Sequence, residues 1–334
     1  MNIYLAPMEG ITGHIVRNAF LHHFGQIDKY FTPFIPAAKR LSRKILRDID
    51  PANNEGIRLV PQLISNQSDE ILDMIRQLKD RGFSEFNINL GCPSGTVVSK
   101  KRGSGMLLYP EELDRFLDGI YNGADVPVSV KTRIGFYAVN EWPTLLAIYR
   151  RYPMSEFIIH PRVRAKMYTG FPHLETFQAA YEVFAEDGAA ASGDDASAAS
   201  VDAAADPVTL CYNGDIWDTA CYANVMKHFP KLDTIMIGRG LLARPDLACC
   251  IKGVPVPDTR EKIRAFCDEI YDGYLSIFSG EKDVFMHMKE IWANLGKSFE
   301  DSDRLVKKLM KSQSPSEYRY LMDQIFDTLE LSPR

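Results

Sequence analysis

Side chains that can bind ligands or transfer protons follow most of the short apolar runs in this sequence. These positions are Pro7, Met8, Gln62, Asn89, Cys92, Lys131, Arg133, His160, Arg162, Asn213, Gly214, Asp215, Gly238 and Arg239. A protein without a ligand would rarely place so many polar groups at strand ends, because each one is costly to bury without a partner. The set therefore indicates a shared binding site.

The run that leads to Cys92 reads NINLGCPSGTVVSKKRGSG. A thiol beside Gly91 can be a nucleophile, a proton donor or a small buried hydrophobe, and the last is the commonest fate of a free cysteine. No Cys-His-Asn protease signature accompanies it. An ordinary thiol pKa of about 8.5 leaves most of the group protonated at neutral pH, as a donor requires. The loop after Cys92 is expected to be a mobile lid or a contact for a polyanion.

Two basic residues end neighbouring apolar runs. Lys131 ends PVSVKTR, where its amine can form a Schiff base, pair with a carboxylate or donate to a polarised ligand oxygen. His160 ends EFIIHP and by itself would fit a satisfied core histidine. Because Lys131 lies on the adjoining run, we expect His160 to face a ligand.

The last two runs end in YNGD and IGRG, which supply glycines and Arg239. Barrel enzymes commonly bind phosphate with the loops after strands seven and eight, together with a helix N-terminus. Glycines allow the backbone to approach an anion, and an arginine provides a forked donor. The pair of motifs predicts a phosphate site, although each motif alone fits an ordinary turn.

Eight apolar runs, separated by segments of helical periodicity, must position these side chains. They read IYLAP, YFTPFIP, RLVPQLI, EFNINLG, PVSVKTR, EFIIHP, VTLCYNG and TIMIGRG. Alternating strands and helices predict parallel βαβ units, and eight units fit a (β/α)8 TIM barrel, an α/β fold. A doubly wound open sheet is the competing topology. In a barrel, the strand ends meet at one rim and gather the chemical groups.

The sequence predicts two domains, a barrel over residues 1–250 and a small helical domain over residues 251–334. Four segments after Gly253 have helical patterns with Asp or Ser near their starts. The barrel portion is interrupted at about 186–206 by EDGAAASGDDASAASVDAAAD, which has almost nothing to bury. We interpret that segment as a flexible inserted loop.

Composition is that of an ordinary globular protein, with 46% hydrophobic and 25% charged residues. No run approaches a membrane span and the N-terminus does not resemble a signal peptide, so a cytoplasmic location and no membrane partner are expected. Six cysteines without a CxxC pair indicate reduced thiols and no metal site. The net charge of −5 comes from the inserted segment, since the rest of the chain has 39 basic and 38 acidic residues.

Basic residues cluster in three loops predicted to follow strands two, four and six. They are Lys39, Arg40, Arg43, Lys44 and Arg47 in the first, Lys100, Lys101 and Arg102 in the second, and Arg162, Arg164 and Lys166 in the third. These loops should open on the same rim, where they could present a positive face to a polyanion. Solvated helix faces are the alternative interpretation.

Several motifs together resemble the tRNA-dihydrouridine synthase family. They are APMEGITG, NINLGCPS with the glycine-containing loop and MLLYPEEL, VSVKTRIGF, IIHPR with YTG, YNGDI and IMIGRGLLARPDL. The motifs run in order from about residue 1 to 250, and the helical C-terminal part matches the family's arrangement. Many relatives have His-Gly-Arg-Thr where this chain has His160-Pro161-Arg162-Val163.

The resemblance implies an FMN-dependent enzyme that reduces the C5–C6 double bond of uridines in tRNA, with NADPH as the reductant. By position in LGCPS, Cys92 would be the proton donor to C5. The implied cofactor-binding residues are Pro7, Met8, Gln62, Asn89, Lys131, His160, Asn213, Gly214, Asp215, Gly238 and Arg239. Lys100, Lys101, Arg102 and Arg162 are expected to bind tRNA, together with the helical domain, and the protein is expected to be monomeric.

Two other functions fit parts of the sequence. A flavin barrel enzyme acting on a small molecule, such as dihydroorotate or an enone, would explain the phosphate motifs, Lys131 and Cys92. It leaves the basic loops and the helical domain without a purpose. An RNA-binding protein that has lost catalysis would explain the basic loops, but it predicts damage at the catalytic position, and Cys92 is intact.

Overall fold

The computed structural model describes residues 1–190 and 207–333, and the side chains of residues 185–190 are not described. Ten strands form one sheet in which every pair is parallel. They are β1 (Asn2–Leu5), β2 (Lys29–Phe31), β3 (Ile35–Pro36), β4 (Leu59–Val60), β5 (Gln62–Ile64), β6 (Phe86–Leu90), β7 (Val128–Arg133), β8 (Glu156–His160), β9 (Thr209–Tyr212) and β10 (Thr234–Ile237).

The ten strands occupy eight positions, because two of the predicted strands are interrupted. β2 pairs with β4 and β3 pairs with β5, so β2 and β3 are the two parts of one strand, and β4 and β5 are the two parts of its neighbour. The interruption contains Pro61, which has no N–H to donate, and the backbone N–H of Gln62 donates instead to Thr32 Oγ1 at 2.9 Å. With β1 paired to both β2 and β10, the sheet closes into the predicted eight-stranded barrel.

Helices follow each of the eight strand positions, as a (β/α)8 fold requires. They are α1 (His14–His23), α2 (Arg43–Ile49), α3 (Ser68–Lys79), α4 (Gly95–Val98), α5 (Pro110–Gly123), α6 (Trp142–Tyr149), α7 (Leu174–Ala190), α8 (Thr219–His228), α9 (Arg239–Ala243) and α10 (Leu247–Lys252). Short 3-10 helices cover Pro51–Asn53, Gly103–Leu108, Val139–Glu141 and Arg164–Lys166.

Strand side chains alternate between the barrel interior and the layer under the helices. Along β1, Tyr4 belongs to a small interior cluster, whereas Ile3 and Leu5 belong to the large core shared with the helices. The interior cluster consists of Tyr4, Ala6, Phe31, Val60, Ile158, Cys211 and Met236. The cluster and a buried polar group next to it, in which Tyr4 and Lys29 donate to Glu156, help to fix the positions of the strands.

The C-terminal helical region contains the four predicted helices and packs directly on the barrel. These are α11 (Thr259–Ile277), α12 (Glu281–Leu295), α13 (Asp303–Lys311) and α14 (Pro315–Thr328), with a 3-10 helix at Gly296–Ser298. Phe266 of α11 lies with its ring centre 4.8 Å from that of Phe20 on α1. The hydroxyl of Ser298 donates to the carbonyl of Ala243 on α9.

The predicted inserted loop at about 186–206 lies mostly outside the described residues. Its first five residues, 186–190, are the end of α7 rather than a loop. Among the described residues, no helix is long and apolar enough to cross a membrane.

Candidate active site

A cavity of about 640 Å³ opens where the strands end, within the range of small-molecule and cofactor sites. Cys92 and all eleven residues predicted to bind the cofactor lie in its wall. These residues come from loops far apart in the sequence, which the closed barrel brings to one rim. The grouping supports a shared site, while the individual roles stay predictions.

Asn89 fixes the turn that carries Cys92. Its side-chain Oδ1 accepts hydrogen bonds from the backbone N–H groups of Gly91 at 3.1 Å and Cys92 at 2.9 Å. Its Nδ2 donates to Oε1 of Gln62 at 2.7 Å, and Gln62 in turn donates to Asn87 at 2.8 Å. Gln62 is fully buried in this amide chain. The chain therefore orients the turn that presents the Cys92 thiol.

The loop after Cys92 is packed against the cysteine, not extended from it as a mobile lid. Ser104 donates to the Cys92 carbonyl through its backbone N–H at 3.1 Å and its hydroxyl at 2.7 Å. Gly103 has φ +55°, and a Cβ there would lie 3.0 Å from that same carbonyl. A Cβ at Gly105 would lie 2.8 Å from the Val98 carbonyl. The glycines thus permit close packing behind the thiol.

Cys92 is half-buried, and its surroundings favour the protonated thiol. Burial is the main reason that the pKa of Cys92 is raised above its usual value, although the nearby Ser94 N–H, Arg133 and Lys131 act in the opposite direction. A raised pKa keeps the proton on sulfur at neutral pH. This environment suits a proton donor better than a thiolate nucleophile.

Lys131 contributes an amine to the cavity wall. None of the described residues forms a hydrogen bond or ion pair with its Nζ, so the structure removes the carboxylate salt bridge that the sequence left open. Burial, with a smaller effect from Arg133, lowers the pKa of Lys131 to about 8. The amine is therefore still mainly charged at neutral pH and is available to a ligand oxygen.

His160 is neutral, and a hydrogen bond from Arg162 fixes its ring. Burial and the charges of Arg133, Lys131, Arg162 and Arg239 lower its pKa well below the usual value. Nη1 of Arg162 lies 3.1 Å from Nε2 of His160. Because an arginine nitrogen can only donate, Nε2 accepts and the ring proton sits on Nδ1. His160 can therefore offer an N–H donor in the cavity wall.

Asp215 joins two arginines at the end of the predicted phosphate site. Its carboxylate accepts from Arg162 at 2.7 Å and from Arg239 at 2.8 Å. Arg162 is 1% exposed, while Arg239 lines the cavity. Asp215 therefore orients Arg239 and, because it is an acid, would not itself receive a phosphate oxygen.

Glycines allow close packing in the loops after β9 and β10, and at Gly240 the two loops are in direct contact. A Cβ at Gly240 would lie 1.9 Å from the Ile216 carbonyl, and a Cβ at Gly214 would lie 2.0 Å from the Tyr212 hydroxyl. Gly238 lies beside Ala6 and Met8, where a Cβ would be 3.2 and 3.3 Å from their side chains. Since α9 has only five residues, a bound anion would depend on Arg239 and loop N–H groups rather than on a long helix.

The structure separates the four residues predicted to bind tRNA. Lys100 is exposed without an ion pair to a described residue. Lys101 pairs with Glu112 at 2.9 Å, and Arg102 with Glu70 at 3.4 Å. Arg162 does not line the cavity, because its guanidinium is buried against Asp215, His160 and the Gly170 carbonyl. Arg162 thus has the position of a supporting residue.

Other cavity residues were missing from those predicted to bind the cofactor or tRNA. Arg133 links two loops, since it donates to the carbonyls of Gly91 at 3.0 Å and Met167 at 2.7 Å. Tyr168 lies over both Arg133 and Arg239, with ring-centre distances of 5.3 and 4.7 Å. Arg133 is one of the strand-end residues of the sequence, and Tyr168 is the tyrosine of the YTG motif. Asn294 comes from α12, and no local strand pattern could have indicated it.

Together, the closed parallel barrel and the cavity at its strand ends define a (β/α)8 protein with a ligand site on the rim. The sequence model of the dihydrouridine synthase (Dus) family matches residues 4–185 and 195–330. The chain therefore belongs to the dihydrouridine synthase family, as the motifs predicted.

Individual proteins show the same relationship over most of the chain. A probable tRNA-dihydrouridine synthase of Staphylococcus aureus (strain MRSA252) is 25% identical over 330 residues, covering 96% of this chain and 92% of the relative. A probable tRNA-dihydrouridine synthase 2 of Bacillus subtilis (strain 168) is 26% identical over 244 residues, covering 72% and 69%. Among solved structures, morphinone reductase aligns with a TM-score of 0.47 at 10% identity, covering 76% of this chain and 86% of its own.

Proposed function

We propose that this protein is a tRNA-dihydrouridine synthase that uses FMN and NADPH to reduce the C5–C6 double bond of uridines in tRNA. The observation that carries the proposal is the half-buried Cys92 thiol, held by Asn89 in the wall of the same cavity as Lys131 and Arg239. This reaction needs an acid that donates a proton to carbon, an unpaired amine and a site for an anion. Family membership and the names of the relatives agree with it.

The cavity residues fit a flavin mononucleotide. Arg239, held by Asp215, and the closely packed Gly214 and Gly238 would hold the phosphate end. Lys131, without a partner among the described residues, would meet the polar edge of the ring, and Met8 with Pro7 would supply apolar contact. Bound FMN, once reduced by NADPH, would supply the hydride that adds to C6 of uracil.

Proton transfer at C5 is the step assigned to the chain itself. The Cys92 Sγ–H bond would break as the C5–H bond forms, while the electron pair of the C5–C6 bond takes up the proton and the hydride joins C6. The raised pKa of Cys92 favours the thiol before transfer. The resulting thiolate would lie near Arg133 and Lys131, whose charges lower its energy.

The uracil must leave its stack in the tRNA to reach this cavity. Neutral His160, through Nδ1–H, and Arg133 are placed to orient groups within it, because both line the wall. Tyr168, half exposed above the two arginines, offers a flat face for a base. These assignments place the uracil of the substrate beside the loop after β8, which carries Tyr168.

The tRNA backbone would be gripped by exposed cations outside the cavity. On α13, Arg304, Lys307, Lys308 and Lys311 follow the spacing of a single helix face. All four are exposed, and none forms an ion pair with a described acid. We name this set the α13 basic stripe. The five cations that follow β3, Lys39 and Arg40 in the loop and Arg43, Lys44 and Arg47 on α2, are likewise exposed. Such uncompensated charge suits a polyanion.

A direct assay tests the proposal. The purified protein, reconstituted with FMN, is incubated with NADPH and unmodified tRNA, and the digested nucleosides are analysed by mass spectrometry. We expect a flavin absorption band and a uridine heavier by two hydrogen atoms. Absence of flavin binding would refute the proposal. Flavin binding without the modified nucleoside, across a full mixture of unmodified tRNAs, would favour a small-molecule substrate instead.

A further inference from the structure

The C-terminal helical region reaches the phosphate end of the cavity. Asn294, near the end of α12, lies in the cavity wall. The following 3-10 helix, Gly296–Ser298, is tied to the barrel because Ser298 donates to the Ala243 carbonyl at the end of α9. α9 begins at Arg239. Lys297 is therefore carried on a segment anchored to the helix that carries Arg239.

Lys297 and Arg239 share one aromatic neighbour. Nζ of Lys297 lies 4.0 Å from the ring centre of Trp217, and Cζ of Arg239 lies 5.0 Å from the same centre. Trp217 follows Asp215 in the loop after β9 and lines the cavity. Because both cations contact the same ring, the separation between Nζ of Lys297 and Cζ of Arg239 cannot exceed the sum of these two distances. Trp217 holds the lysine beside the arginine through cation–π contact.

The charges of this cluster do not cancel. Arg162, Arg239 and Lys297 are three cations, and among the described residues Asp215 is the one carboxylate that pairs with the two arginines. Lys297 has no ion pair with a described acid. Its pKa is lowered mainly by partial burial and further by the charge of Arg239, while Asp215 acts in the opposite direction, so the lysine lies within electrostatic reach of both groups. Two uncompensated positive charges match the dianion of a phosphate monoester.

We propose that Lys297 is the second cation of the phosphate-binding site, so that the helical region closes the phosphate end of the cofactor cavity. The lysine side chain is exposed and long enough to turn from Trp217 toward an anion held by Arg239. The inference rests on the proposed flavin function and extends it. It makes the affinity for the cofactor depend on how the helical region packs against the barrel. The ligand assigned is the ribityl phosphate of FMN.

The test compares binding of FMN with binding of riboflavin, which lacks the phosphate. Protein freed of flavin is titrated with each ligand, for the parent, Lys297→Ala and Lys297→Arg. We expect Lys297→Ala to weaken FMN binding by about tenfold, a typical effect of losing one charge-assisted contact, and to leave riboflavin binding unchanged. Lys297→Arg should retain most of the FMN affinity. Lys282→Ala, an exposed cation at the opposite end of α12, is the matched control and should have no effect.

Other outcomes would overturn the assignment. Equal weakening of FMN and riboflavin would make Lys297 a structural residue. Unchanged FMN binding with a raised KM for NADPH but not NADH would assign the lysine to the phosphate of the reductant. Unchanged FMN binding with weaker tRNA binding would assign it to an RNA phosphodiester. If the parent protein binds neither flavin, the proposed function fails, which is distinct from failure of this inference.

Discussion

The side-chain oxygen of Asn89 accepts a hydrogen bond from the backbone N–H of Cys92 at 2.9 Å. The residue that begins the turn thereby determines where the reactive thiol lies. This relationship explains the Asn-Leu-Gly-Cys-Pro order, because the asparagine bonds forward to its own turn while its Nδ2 is fixed by Gln62.

Replacing Cys92 by alanine should abolish product formation but not flavin chemistry. We expect the single-turnover rate of tRNA reduction to fall by about 10²–10⁴-fold, the usual contribution of a general acid. The flavin spectrum and the rate of flavin reduction by NADPH should be unchanged, because neither requires the thiol. Stopped-flow absorbance with and without tRNA measures both. A variant that still forms dihydrouridine at the parent rate would remove Cys92 from the donor role.

Replacing Asn89 by alanine should displace the thiol and destabilise the barrel. The change removes the acceptor of two backbone N–H groups and the donor to Oε1 of Gln62, at a cost of about 1–3 kcal/mol in the free energy of unfolding. Denaturant unfolding and single-turnover rates check the two effects. Asn18→Ala, which removes an amide bonded to the Asn53 carbonyl away from the cavity, is the control. It should lose stability without slowing the chemistry; a similar slowing in both variants would contradict a specific role.

Flavin binding should weaken as the pH rises above 8. The pKa of Lys131 is about 8 in the ligand-free protein, so the amine is charged below that pH and neutral above it. If the ammonium donates to the flavin, the affinity for FMN should be highest near pH 7, where the phosphate is already mainly a dianion, and fall between about pH 8 and 9. Fluorescence titration across this range measures it. Lys131→Arg, which stays charged, should not show the decline; an identical decline there would exclude Lys131 as its cause.

Neutralising part of the α13 basic stripe should weaken tRNA binding in a salt-dependent manner. For Lys307→Gln/Lys308→Gln, we expect the slope of log K against log salt to decrease in magnitude by roughly one to two, since each lysine contacts about one phosphate. The rate at saturating tRNA should be unchanged. Lys227→Gln/Lys231→Gln removes two exposed cations at the far end of the barrel, where α8 ends, and should leave the slope unaltered. Equal slopes in both variants would place the tRNA elsewhere.

A methyl group at Gly240 should separate the two loops of the phosphate site. Its Cβ would lie 1.9 Å from the Ile216 carbonyl, so Gly240→Ala forces a backbone shift costing about 1–3 kcal/mol in stability, with loss of FMN affinity. Gly95→Ala is the control, because a Cβ there meets nothing within 4 Å. Thermal unfolding and FMN titration compare the two. Retained stability and FMN affinity in Gly240→Ala would show that the loops can separate freely.

Much of this protein could be predicted from local sequence. Eight apolar runs gave the strand positions because the backbone alternates side chains with a fixed period, and the four C-terminal helices followed from their apolar spacing. Strand ends gave the residues of the cavity wall because a parallel barrel must place those ends on one rim. Family membership followed from the ordered motifs and is confirmed.

Tertiary structure decided which partner each of these side chains has. Sequence spacing could not show that Arg162 is buried against Asp215, or that Lys131 lacks a carboxylate among the described residues, because both depend on distances between separate loops. Nor could it bring Asn294 of the helical region into the cavity wall, or Lys297 onto the ring of Trp217. Local patterns specify the elements, since they act over a few residues, whereas contacts, burial and pKa values are set only when the closed barrel and the helical region pack together.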